Sequence, residues 1–172
     1  MRFRAPKATF QEVVAEMIEL NPSLTRSLTR EDLMEDVEVD AEDASRVKGS
    51  VWWDNKGIDA LPESIGDLTV GRHLSLAKNN LATLPASFGS LTVGGFLDLR
   101  SNNLATLPEG FGSLTVGRDL LLNGNKLATL PASFGSLQVG GKVYLDGNPV
   151  AASEPHFDGL DLVWEEPQYD DY

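Results

Sequence analysis

The chain contains no cysteine, only two histidines and no long apolar run, and each shortage excludes a class of protein. Without cysteine there are no disulfides, no thiolate metal ligands and no cysteine nucleophile. A reducing, intracellular location, the cytoplasm foremost, is therefore expected. No stretch approaches the ~20 apolar residues needed to cross a bilayer, so no membrane span is expected. The opening MRFRAPKATFQEVVAEMIEL has basic residues, but Glu12, Glu16 and Glu19 break up its apolar positions, and it does not read as a secretory signal. His73 and His156 belong to no H-E-x-x-H, and the chain has neither G-x-S-x-G nor G-x-x-x-x-G-K-[ST]. Asp158 with Asp161, and Asp170 with Asp171, are carboxylate pairs that nothing in the sequence places in a cleft. No enzymatic activity, cofactor or metal is expected.

Basic charge is scarce as well, and its distribution is informative. The net charge is −12. Residues 1–47 hold 11 acids and 6 bases, residues 48–150 hold 8 of each, and residues 151–172 hold 7 acids and no base. A neutral centre between acidic flanks disfavours nucleic-acid binding, which needs a basic field against phosphate. Eight carboxylates lie between Glu31 and Asp43, but without the D-x-[DN]-x-[DN]-G spacing and closing Glu of a calcium loop. That run reads as a solvated face or loop.

What the chain has is repetition. LATLPASFGSLTVGGFLDLRSNNL, from Leu81 to Leu104, returns as LATLPEGFGSLTVGRDLLLNGNKL from Leu104 and again from Leu127. Asn79, Asn102, Asn125 and Asn148 mark a period of 23 residues. Within a unit, Leu74 and Leu76 are two apart and share one side of a strand, into the core. Asn79 then turns inward, where its amide can satisfy backbone groups exposed as the chain leaves the strand. Lys56 interrupts the asparagine series in the first unit. Leu81, Leu84, Phe88 and Leu91 fill the core, with Pro85 at the start of a short helix or 3₁₀ turn and Gly89 at its end.

This pattern resembles the leucine-rich repeat family, and the LP..(I/F)G.L spelling, seen also from Leu61 to Leu68, resembles its intracellular class. Secreted members usually staple their end caps with disulfides, which this chain cannot do. The resemblance implies an α/β fold, a short solenoid with a parallel concave sheet, here of five strands starting at Lys48, Gly71, Gly94, Gly117 and Gly140. One departure is systematic. Where the family has the first leucine of its strand motif, this chain has Gly71, Gly94, Gly117 and Gly140, each preceded by Val70, Val93, Val116 or Val139. The expectation is that valine takes the core site one residue early and glycine permits a kink or positive φ.

Three segments are expected: an N-terminal helical cap with an acidic stretch (1–47), about five repeats (48–150), and a C-terminal cap with an acidic tail (151–172). In the first, Thr9 and Glu12 spell a capping box ahead of Phe10, Val13, Val14, Met17 and Ile18, the stripe of an amphipathic helix ending near Asn21-Pro22. That stripe suits capping of the first repeat or docking of another protein. Thr29 and Asp32 open a shorter helix with Leu28, Leu33, Met34 and Val37 on one side. In the last segment Phe157, Leu160, Leu162, Val163 and Trp164 would cover the open end of the core.

The resemblance implies a non-enzymatic interaction module that binds a protein partner on its concave sheet. Strand alternation exposes there the letters that differ between repeats: Trp52, Ser75, Asp98, Leu121 and Tyr144 between the core positions, with His73, Phe96 and Arg100 beside them. Of these, Trp52, His73, Phe96, Asp98, Arg100, Leu121 and Tyr144 are the candidate protein-binding residues, aromatic and arginine side chains being common anchors. Packing under the caps is the alternative for Trp52 and Tyr144. Two other roles remain open: a structural subunit of a capsid or organellar assembly attached through its acidic termini, and the substrate-recognition part of a ubiquitin-ligase-like effector.

Overall fold

The structure is a computed structural model that describes residues 6–22, 24, 29–153 and 155–164. Leu28 and the acidic segment 165–172, to which the sequence assigned roles, lie outside the described residues.

The N-terminal cap forms as its sequence signals dictate. Helix α1 (Phe10–Leu20) starts at Thr9, whose hydroxyl accepts from the Glu12 N–H at 3.2 Å while the Glu12 carboxylate accepts from the Thr9 N–H at 2.7 Å. Thr29 and Asp32 cap the five-residue α2 (Arg30–Met34) in the same way. Phe10, Val13, Val14 and Met17 are fully buried, so the apolar stripe of α1 is a lid on the first repeat. Phe10 stacks on Trp53 at 5.7 Å, and the Trp53 Nε1–H donates to the Leu33 carbonyl at 2.8 Å, tying both helices to one indole.

From Arg46 onward each unit contributes to two parallel sheets. One contains β1 (Arg46–Val47), β3 (Thr69–Val70), β5 (Thr92–Val93), β7 (Thr115–Val116) and β9 (Gln138–Val139), in that order. The other runs β2 (Val51–Trp52), β4 (Leu74–Ser75), β6 (Leu97–Asp98), β8 (Leu120–Leu121), β10 (Lys142–Tyr144) and β11 (Asp161–Val163). Partners such as Val51↔Leu74 and Leu74↔Leu97 reproduce the 23-residue period. The solenoid and its parallel sheet are thus as the sequence implies. The count differs: six strands rather than five, because Asp161–Val163 pairs with Lys142–Tyr144 and the C-terminal apolar residues cap the core partly as a strand. The strands of this sheet also begin at Val51, Leu74, Leu97, Leu120 and Lys142, later than expected, because the valines ahead of the glycines form the other sheet.

The Val-Gly dipeptide has a different cause from the one its spelling suggests. Val70, Val93 and Val116 are buried, as expected of a core site. Positive φ, however, is found at Gly57, Gly124, Gly147 and Gly159, not at the glycines of the dipeptide. Those glycines are required by close stacking: a Cβ on Gly94 would lie 2.4 Å from the Gly71 carbonyl oxygen, and one on Gly117 2.2 Å from that of Gly94. Gly89 is corrected likewise. It lies inside the 3₁₀ turn Ala86–Ser90 rather than ending it, and a Cβ there would lie 1.8 Å from the Gly110 oxygen of the next turn. Both glycine columns let successive coils approach at the backbone.

The core between the coils is built of ladders. Phe88, Phe111 and Phe134 stack nearly parallel at 6.1 and 6.2 Å, and Phe157 closes the end at 5.3 Å with its ring tilted by 51°. The buried Asn102 amide donates to the carbonyls of Leu76 and Leu99 and accepts from the Leu81 N–H, joining adjacent units. Asn125 and Asn148 repeat the pattern. At the first unit, where Lys56 interrupts the series, Asn79 reaches back to accept from the N–H groups of Lys56 and Ile58. The fully buried Asn21, at the end of α1, serves the next loop by accepting from Asp59 and Ala60 and donating to the Ala60 carbonyl.

Candidate functional site

The outer face of the six-stranded sheet carries the letters that do not repeat. Its register aligns Trp52 with Ser75, Asp98 and Leu121, and Leu121 with Tyr144. Alternation leaves each of these opposite a buried leucine, valine or tryptophan. The residues do not share one environment, and they separate into two groups.

The first group is aromatic. Trp52 is 50% exposed, so it does not pack beneath the cap; the adjacent Trp53 does. His73 and Phe96 are partly buried and stack at 4.0 Å with 20° between planes. Trp52 lies 5.9 Å from Phe96 and 6.1 Å from His73. His73 Nδ1 accepts the Phe96 N–H at 3.1 Å, which fixes the ring and leaves Nε2 as the protonated nitrogen of the neutral imidazole. Burial, then Arg118 and Arg72, hold its pKa below the ordinary 6.5. Three rings, Trp52 in β2 and His73 and Phe96 just ahead of β4 and β6, thus form one aromatic cluster.

The second group is polar. Asp98 is only 3% exposed, and Arg100 Nε lies 2.9 Å from its Oδ2. Asp98 Oδ1 accepts the Arg100 N–H at 3.0 Å. Burial pushes the Asp98 carboxyl above its ordinary 3.8, opposed by that N–H and by the guanidinium. Beside it, the Ser75 hydroxyl donates to the Asp54 carboxylate, and Ser75 is buried. Asp98 therefore orients Arg100, while the arginine is the more accessible member of the pair. Leu121 and Tyr144 continue the face, both partly buried.

Sequence reasoning missed Arg72 and Arg118. They stand at the strand approach, one position ahead of His73 and Asp119, and line an open concavity of about 350 Å³ with Gly71, His73, Gly94 and Gly95. The available signal was alternation at one repeat position: Gly49, Arg72, Gly95, Arg118, Gly141. Among the described residues no group of three or more His, Cys, Asp or Glu side chains is arranged to hold a metal ion. None of the helices described is long and apolar enough to cross a membrane.

A family model described as Leucine Rich Repeat matches residues 96–114, which run from Phe96, just ahead of β6, through the 3₁₀ turn Glu109–Ser113. No curated protein matches the chain. The fold of that family is typically a non-enzymatic interaction fold. The family match, the 23-residue register of parallel strands and the buried asparagine ladder together support a leucine-rich repeat protein.

Proposed function

We propose that this chain is a non-catalytic scaffold or adaptor that takes a protein partner on the outer face of its six-stranded sheet. Trp52, His73 and Phe96 form the centre, with Arg100, Leu121 and Tyr144 continuing it. The supporting observation is the aromatic cluster: a half-exposed indole held against a stacked His73–Phe96 pair, on a face where neighbouring repeats otherwise hold their core letters constant. Large rigid side chains of this kind supply contact area at low entropic cost, and such anchors dominate interface energetics. Asp98 acts through Arg100, whose guanidinium it steadies.

The test is affinity purification with crosslinking mass spectrometry, comparing the wild-type chain with Phe96→Ser/Leu121→Ser. Crosslinks from the wild type should map to the sheet face and disappear in the double variant while its thermal melt is unchanged. Unchanged capture by the double variant would sink the proposal. Attachment through the acidic C-terminus concerns residues outside those described, and no observation favours it or a ubiquitin-ligase-like role.

A further inference from the structure

Arg72 and Arg118 occupy the same point of their repeats two units apart, and Gly95 occupies that point between them. The backbone ties the three together: the Gly95 N–H donates to the Arg72 carbonyl at 2.6 Å, and the Arg118 N–H donates to the Gly95 carbonyl at 3.0 Å. At ~4.8 Å per strand spacing, the two arginine backbones stand about 10 Å apart. Nothing larger than glycine fits between them, because a Cβ on Gly95 would lie 2.3 Å from His73 Nδ1 and 2.8 Å from the Arg72 carbonyl oxygen. The concavity that both arginines line therefore has the Gly95 backbone and the His73 ring, rather than a side chain at position 95, between its two cations.

Neither arginine forms an ion pair among the described residues, where the pairs are Lys48–Glu38, Arg100–Asp98 and His156–Asp158. The carboxylate next in sequence, Asp119, is engaged in accepting the Lys142 N–H at 2.8 Å. Arg72 also lines the neighbouring concavity with Trp52, Lys48 and Ser50, so the arginine pair and the aromatic cluster run into one another. Two exposed guanidiniums without an ion pair, in a chain of net charge −12, are a local exception to the field around them. Their fork geometry suits a carboxylate.

We propose that Arg72 and Arg118 grip a carboxylate side chain from an extended acidic segment of a partner protein, over Gly95, while an apolar residue of that segment lies against Trp52, His73 and Phe96. This rests on the sheet face being the binding surface. A nucleic acid fits poorly: Asp36 and Glu38, the latter paired with Lys48, line the adjoining concavity where further phosphates would fall, whereas the segment sets only one carboxylate at the arginines and an apolar residue beside Trp52. His73, held neutral, contributes a ring surface rather than a third cation.

Selection of a random peptide display library on the folded chain provides the test. The expected winners carry Asp or Glu close to an aromatic or aliphatic residue. Arg72→Gln/Arg118→Gln should weaken a winning peptide about tenfold or more, and Glu→Gln in the peptide should cost a similar factor with no further loss on the Gln variant. Arg72→Glu/Arg118→Glu should shift selection toward Lys and Arg, with thermal melts confirming an intact fold. Absence of acidic enrichment, or binding indifferent to both Arg substitutions, overturns the proposal, as does preferential binding of a dT oligonucleotide. If Phe96→Ser/Leu121→Ser abolishes peptide binding while the arginine variants do not, the sheet-face reading stands and the carboxylate grip falls. If neither set matters, both fall.

Discussion

In the N-terminal cap, backbone N–H groups of Thr9, Thr29, Glu42 and Ser45 are satisfied by the carboxylates of Glu12, Asp32, Asp40 and Asp43 near the surface. In the repeats the comparable bonds are made by the neutral amides of Asn79, Asn102, Asn125 and Asn148, each at most 6% exposed. The helix starts and acidic loop of the cap therefore depend on ionised groups that titrate and are solvent-screened, used once each, beside the single buried amide of Asn21. The interior ladder of the repeats depends on uncharged groups in a dry environment, used at every turn, and carboxylates such as Glu63 and Asp119 serve backbone N–H groups outside that ladder. A solenoid propagates whatever satisfies one unit, so its interior chemistry must need no counter-charge, whereas an end that occurs once can use carboxylates.

Substitutions can test how far apart these two regions are. Phe111→Ala should have the largest effect, roughly 3–5 kcal/mol, because its ring is sandwiched between Phe88 and Phe134 and its removal opens the ladder on both sides. A urea midpoint close to that of the wild type would contradict the stacked core. Asn102→Ala should cost about 1–3 kcal/mol by leaving the buried Leu81 N–H without its acceptor. Its cost should be the same at pH 4 and pH 7, since no titrating group is involved; a marked pH dependence would show that the ladder is not the neutral device described. Thr9→Ala should cost about 1 kcal/mol. Hydrogen exchange should then quicken in α1 while the repeat amides hold their protection.

Acid should separate the regions further. Hydrogen bonds from the cap backbone hold Glu12, Asp32 and Asp40 below their ordinary values, and Asp43 is lowered first by the Ser45 hydroxyl. Groups lowered in the folded state contribute stability that is full above their ordinary values, 4.5 for Glu and 3.8 for Asp, and is lost as pH falls through the native values. Cap amides should therefore lose exchange protection, after correction for intrinsic rates, before those of the repeats. Asp98 has the opposite sign. Its raised pKa gives a contribution present below 3.8 and lost as pH rises through the native value. Asp98→Asn should remove that slope from urea midpoints measured across mildly acidic pH, the smallest effect of the series.

Most of the architecture could be read from letters alone where a local rule and the repeat agreed. Thr9 and Glu12 announced α1, Leu74 and Leu76 announced a core-facing strand pair, and the asparagine spacing set the register that Val51↔Leu74 displays. The face was legible in part. Trp52, His73 and Phe96 were identifiable as outward residues, but not that His73 would stack on Phe96 at 4.0 Å while Asp98 sank beneath Arg100. The stack joins residues 23 apart and the ion pair residues two apart, and alternation specifies a side of the sheet without specifying depth.

The sequence by itself determined the period, the solenoid, both helix starts and which side chains enter the core, because these follow from spacing and from capping chemistry within a few residues. Only the tertiary structure decided why glycine is needed at Gly94 and Gly89, that Trp52 stays open while Trp53 is covered, and that Arg72 and Arg118 line one concavity with Gly95. The physical reason is common to all three. Each is a matter of how closely another coil or the N-terminal cap passes, and a chain's letters record what a residue is but not what passes over it.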